Sequence, residues 1–122
     1  MAGLNYEGAL EAARQSLSIA TNPGFEALAI AVDVNDRSGV DEMVNSTFKN
    51  FSRIDYLVNS ASIGVQNHLP IEDADLTEMN RFGQVNLPGA FNCIQVVTKA
   101  MKQQSVKKSF AIRQGNEKLV EE

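Results

Sequence analysis

The sequence has no tryptophan, one cysteine, one histidine and three prolines. No apolar run approaches the roughly 20 residues that span a bilayer. Cys93 is alone, so no internal disulfide can form. With His68 as the single histidine, a His/Cys metal cluster is excluded as well. Basic charge is also scarce: 11 Lys and Arg stand against 15 Asp and Glu, for a net charge of -4. Nucleic acid and anionic membranes both need clustered Lys and Arg, so neither partner is expected. The densest basic stretch, residues 99–108, holds four lysines and reads as a solvated helix end. The first twenty residues carry Glu7, Glu11 and Arg14 and no apolar core of signal-peptide length. No targeting segment is therefore expected, and the expected compartment is the cytosol. The formal sequons at Asn45 and Asn50 are then coincidental.

What is present suits one small α/β domain. The chain has 122 residues, 43% hydrophobic and 21% charged. Residues 6–19 read as a helix with Ala9, Leu10, Ala13 and Leu17 on one stripe, stopped by Asn22-Pro23-Gly24. Residues 27–34, "ALAIAVDV", read as a strand apolar on both faces, as in a parallel sheet covered on both sides. A second helix is predicted at about 38–51, with Ser38 and Asp41 as a capping box. Val40, Met43, Val44, Thr47, Phe48 and Phe51 form its apolar face. Residues 55–59 are predicted as the second strand, followed by a loop over 63–74 that contains His68. Asp75 then opens a long helix over 76–103. Met79, Phe82, Val85, Phe91, Ile94, Val97 and Met101 make its apolar face. Pro88-Gly89 should kink it, because proline removes a backbone donor and crowds the preceding turn. The order helix, strand, helix, strand, helix predicts α/β architecture with parallel strands over residues 1–104. A polar tail follows over 105–122.

In open α/β sheets, ligands bind beyond the carboxyl ends of the strands. Asp33 closes the first predicted strand, and "NSAS", residues 59–62, closes the second. Asp33 reads equally as a turn former before Asn35-Asp36, and Asn59 as a strand-end hydrogen bonder. "AIAVDVND", "IDYLVNSAS" and "FGQVNLPGAFNCIQ" occur in the order and at the spacing of a short-chain dehydrogenase/reductase, and the chain resembles that family over roughly residues 5–104. The resemblance implies a partial Rossmann-type, doubly wound sheet and hydride transfer with NAD or NADP. It implies that Asp33 accepts a hydrogen bond from the adenine amino group and that Val34 presents its N–H to the same ring. Asn59 matches the first Asn of the family's Asn-Asn-Ala-Gly motif, beside the adenosine ribose, and Ala61 matches the alanine. Ser60 and Ser62 depart from the second Asn and the Gly. Asn86 resembles the catalytic asparagine, whose main-chain carbonyl holds a relay water in the family.

The resemblance is incomplete. The glycines at 3, 8, 24, 39, 64, 83, 89 and 115 contain no Gly-x-x-x-Gly-x-Gly set, the turn that meets the pyrophosphate. Gly3 and Gly8 have phosphate-loop spacing, but Ala9 and Leu10 follow where Lys and Ser/Thr are required. The family's general acid/base is the tyrosine of Tyr-x-x-x-Lys. The only tyrosines are Tyr6 and Tyr56, with Leu10 and Ser60 four residues on. His68 on its loop has no visible orienting partner and reads as surface. The expectation is an incomplete member of the family, inactive alone, whose parent acts on an alcohol or carbonyl substrate. In the strand order 3-2-1-4-5-6 the two predicted strands are the third and fourth, so the two central strands are expected to be missing. The alternative is an interaction module that docks on a relative, or on a second copy, through the helix over 76–103.

Overall fold

The computed structural model describes residues 1–64 and 69–105 in full, and the backbone of 113–114 and 117–118. The element order is β1 (Ala2–Gly3), α1 (Tyr6–Ile19), β2 (Ile30–Ala31), α2 (Arg37–Phe51), a 3-10 turn at Ile71–Asp73 and α3 (Leu76–Lys102). Beyond these, β3 (Arg113–Gln114) pairs antiparallel with β4 (Glu117–Lys118), where only a patternless tail was expected.

The three predicted helices are present, and each starts on a side-chain cap. Asn5 accepts from Gly8 N–H, Asp36 from Ser38 N–H and Asp75 from Thr77 N–H. Each cap satisfies one of the backbone donors left open in a first turn. The capping box expected of Ser38 and Asp41 is not the one formed. Asp36 takes the capping position, and Asp41 instead pairs with Arg37 one turn back.

The sheet differs from expectation in two ways. The predicted strand over 27–34 narrows to a two-residue ladder, Ala2 to Ile30 and Gly3 to Ala31, running parallel. Flanking bonds extend the contact, with Ile30 N–H donating to Met1 O (2.9 Å) and Val32 N–H to Gly3 O (3.0 Å). So β1 takes the place beside β2 that the order 3-2-1 gives to the second strand, and one of the two strands expected to be absent is there. The predicted strand over 55–59 forms no ladder among the described residues, and residues 57–59 make no hydrogen bond to a described residue.

Residues 54–63 are nonetheless extended, and α3 holds them so. Gln104 brackets the Ile54 peptide groups, accepting from its N–H (2.6 Å) and donating to its C=O (2.8 Å). Asn86 does the same to Ile63, at 2.8 and 3.1 Å. From 86 to 104 the chain climbs about 27 Å at 1.5 Å per residue. From 54 to 63 a strand covers about 30 Å at 3.3 Å per residue. The two lengths agree only if the segment is nearly straight and antiparallel to α3.

The core lies between β2, α2 and α3: Val32, Val40, Val44, Cys93, Val96 and Val97, with Met43, Phe48 and Ile54 against it. Burying a valine side chain is worth roughly 1.5–3 kcal/mol, so a core this small leaves little margin. Ala31 itself is exposed, while α1 also packs against β1 and β2. One expectation about faces changes. On α3, Gly89, Cys93, Val96 and Val97 point inward, whereas Met79, Phe91 and Ile94 are exposed. The helix carries two apolar stripes, and periodicity alone does not say which one meets the core.

Candidate functional site

At the exit of β2 the chain turns sharply. Asp33 Oδ1 accepts from Asn35 N–H (2.9 Å), and Asp36 N–H donates to Asp33 O (3.0 Å). Asp33 therefore does the work of a turn former while its side chain stays exposed. Val34 follows, half-buried. Its carbonyl accepts from Asn92 Nδ2 (3.1 Å), which also lies 3.5 Å from Asn35 O. Its N–H makes no bond to a described residue. Against Val34 sits Gly89, where an added Cβ would fall 2.5 Å from Val34 Cγ2. The absent side chain on α3 is what lets this turn lie on the helix.

At the exit of the 54–63 segment, Asn59, Ser60, Ala61 and Ser62 are exposed and make no hydrogen bond to a described residue. Asn59 is therefore not a strand-end hydrogen bonder here. Asn86 lies opposite, with both halves of its amide spent on Ile63. Arg81 Nη2 reaches Gly64 O at a long 3.4 Å. Pro88 stands inside α3, which runs unbroken from Leu76 to Lys102. His68 lies outside the described residues.

The two exits meet on one short stretch of helix. Asn86 and Asn92 are six residues apart, about 9 Å of helix axis. Asp33 and Val34 are thus held at Asn92, and residues 59–63 at Asn86. A crevice between the two exits would be lined by small or exposed groups, Asn59, Ala61 and the Val34 N–H. These could meet the flat face and edge of a heterocycle. Among the described residues no group of three or more His, Cys, Asp or Glu comes together. Cys93 belongs to the core, where burial pushes its thiol pKa up and makes it a poor nucleophile. A cavity of about 640 Å³ opens at the far end of α2 and α3, between Phe48, Arg53, Ala100 and Gln104, away from the crevice. Gly89, Asn92 and Gln104 were not foreseen. The signal for Gly89 was a glycine inside a helix, read instead as part of a kink.

Residues 4–108 match the family model described as short chain dehydrogenase. The short-chain dehydrogenase anuF of Penicillium roqueforti is 56% identical over 106 residues, covering 87% of this chain and 38% of its own. The crystal structure of levodione reductase matches 84% of this chain and 38% of its own, with 34% identity and a TM-score of 0.67. ElxO with NADPH bound matches 59% of this chain and 29% of its own, at 32% identity and a TM-score of 0.50. The chain thus spans about 38% of the length of the curated relatives it matches.

Proposed function

Because the chain belongs to the short-chain dehydrogenase family, we propose that it carries the adenosine-facing wall of an NAD(P) site and that its 122 residues alone do not turn over substrate. The observation that carries this is the convergence of the two strand exits on α3, within about 9 Å of helix axis between Asn86 and Asn92. Asp33 keeps a carboxylate oxygen for an adenine amino group, and Val34 N–H is open toward the same ring. Asn59 and Ala61 lie where a ribose would rest. Fit ends there. The sequence has no Gly-rich turn for the pyrophosphate, and Ser62 adds a Cβ where a glycine would give closest approach. In the parent activity the cofactor supplies hydride for interconverting an alcohol and a carbonyl. Asn86 would act through its main-chain carbonyl, since its side-chain amide is committed to Ile63. Within these 122 residues no tyrosine follows Asn86 to act as proton donor.

Calorimetry with NADH and NADPH, and a cofactor-oxidation assay against a panel of carbonyls, test the reading. The expected result is no turnover and dissociation constants above about 1 mM, weaker than about -4 kcal/mol. Micromolar binding that Asp33→Ala removes would show a substitute phosphate site. Turnover of any carbonyl in that panel would overturn the inactive assignment. A second reading, docking on a relative or a second copy through α3, is favoured by the exposed stripe of Leu76, Met79, Leu87, Phe91 and Ile94. Association lost on Leu87→Lys would select it.

A further inference from the structure

The peptide unit between Val34 and Asn35 is held at both ends. Its carbonyl, Val34 O, accepts from Asn92 Nδ2 (3.1 Å), and its N–H, on Asn35, donates to Asp33 Oδ1 (2.9 Å). A trans peptide is planar, and its C=O and N–H point in opposite directions. Asn92 and Asp33 are thus joined through one rigid amide. A donor on the carbonyl also polarises that amide and strengthens its N–H as a donor. So a residue of α3 sets the direction of the Asp33 carboxylate without touching it. Oδ1 is committed to the turn, and Oδ2 makes no hydrogen bond to a described residue.

The helix is shaped to make this contact. Gly89, three positions before Asn92, has no Cβ where one would fall 2.5 Å from Val34 Cγ2. Gln95, three positions after, accepts through Oε1 from Arg37 Nη1. Positions 89, 92 and 95 follow one i±3 row of α3, and the turn from Val34 to Arg37 lies along it. Cys93 and Val32, the neighbours of Asn92 and Asp33, share the core, which fixes the helix against β2 at this level.

We propose that Asn92 is a positioning residue for base selection: through the 34–35 peptide it aims the Asp33 carboxylate, and so sets a preference for adenine over hypoxanthine. This rests on the reading of the Asp33–Val34 turn as an adenosine wall. Adenine offers an amino donor to the carboxylate and a bare ring nitrogen to the Val34 N–H. Hypoxanthine inverts both groups, setting a carbonyl against the carboxylate and a ring N–H against the Val34 N–H. A site that receives a hydrogen bond rejects the analogue lacking it, because its own group is left unpaired. Asp33 is exposed, so water replaces part of that bond and the selectivity is modest. A carboxylate free to turn would meet either base through water. One held at Oδ1 keeps Oδ2 in place for the amino group alone.

The test titrates the isotope-labelled full chain with adenosine monophosphate and inosine monophosphate, which share ribose and phosphate, and follows the amides by NMR. The adenine nucleotide should bind about fivefold tighter, the worth of one net hydrogen bond. It should shift the Asn35 amide and the Asn92 side-chain amide, and the hypoxanthine nucleotide should shift neither. Asn92→Leu removes the donor at similar volume and should bring the ratio of affinities below about twofold, with helical dichroism unchanged. Asn92→Ser should do the same, and it carries the test if the leucine variant does not fold. Asp33→Ala should lower the ratio too, and Asn92→Leu in that background should lower it no further, because the two act in series. A ratio that survives in the folded Asn92 variants overturns the proposal. Equal weakening of both nucleotides overturns it as well, since that marks a merely structural role. So does additivity of the Asn92 and Asp33 effects. An adenine nucleotide that leaves the Asp33–Val34 turn unshifted in the unaltered chain overturns the adenosine wall itself, and this inference with it.

Discussion

Gly89→Ala should destabilise the chain, although the same change in most helix interiors stabilises. An alanine Cβ at 89 would lie 2.5 Å from Val34 Cγ2 and 3.3 Å from Val34 Cβ. Carbon atoms in contact rest about 3.5–4.0 Å apart, so one side must retreat by about 1 Å. Val34 cannot retreat freely, because its carbonyl is tied to Asn92 on the same helix. Overpacking by one methyl costs about 1–3 kcal/mol. Against this, Ala gains about 1 kcal/mol over Gly in a helix interior. The net expectation is a loss of about 1 kcal/mol. Gly83 supplies the control, since nothing lies within 4 Å of its added Cβ. Gly83→Ala on the same helix should stabilise by about 0.5–1 kcal/mol. In a Val34→Ala background Gly89→Ala should change sign, because the clashing methyl is gone. Urea titration followed by circular dichroism in dilute solution measures all four variants. If Gly89→Ala and Gly83→Ala stabilise alike, the close approach of Val34 to α3 is refuted.

Asn86→Asp keeps the acceptor for Ile63 N–H but turns the donor facing Ile63 O into a second acceptor. It should cost about 1–3 kcal/mol and speed exchange of the Ile63 amide, and an unchanged exchange rate would show the bracket to be idle. Asp75 is held below the usual carboxylate range, first by the backbone hydrogen bond from Thr77 and then by the Thr77 side chain. Its folded pKa is below its unfolded one, so its contribution is present above the unfolded value and is lost as pH falls through the folded value. Exchange at residues 76–79 should accelerate over that acid window in the native chain and not in Asp75→Asn.

The helices were legible because their information is local. Apolar spacing, a cap at Asp75 and the stop at Asn22-Pro23-Gly24 all lie within a few residues of what they specify. The 54–63 segment was half legible. Its composition says extended, but a ladder depends on a neighbour elsewhere in the chain, and two-residue β1 has no pattern to announce it. The general rule that ligands sit beyond strand ends pointed to Asp33 and residues 59–62, and the structure ties the ends of both segments to α3. What the side chains do there was not legible. Asp33 had two readings, and the structure engages it as a turn former. Asn86 was read for its carbonyl, yet its amide spans to Ile63, 23 positions back. Gly89 was read for its effect on helix shape, whereas its neighbour is Val34, 55 positions away by number.

These non-local contacts share a logic that explains how so little sheet holds its place. A side-chain amide offers one donor and one acceptor, as a neighbouring peptide does in a ladder. Asn86 and Gln104 each present that pair to one end residue of the extended segment. Asn86 lies within α3 and Gln104 in the turn that follows it, 18 residues on, so the two amides stand at opposite ends of the segment. Asn92 lies six residues from Asn86, about 240° further round, and reaches a different segment, the exit of β2. α3 and the turn after it thus hold the 54–63 segment at both ends and the exit of β2 between them. A bracket at each end is enough to fix direction and register. It leaves the peptides of residues 57–62 without a hydrogen bond to any described residue, although both ends of the segment are fixed.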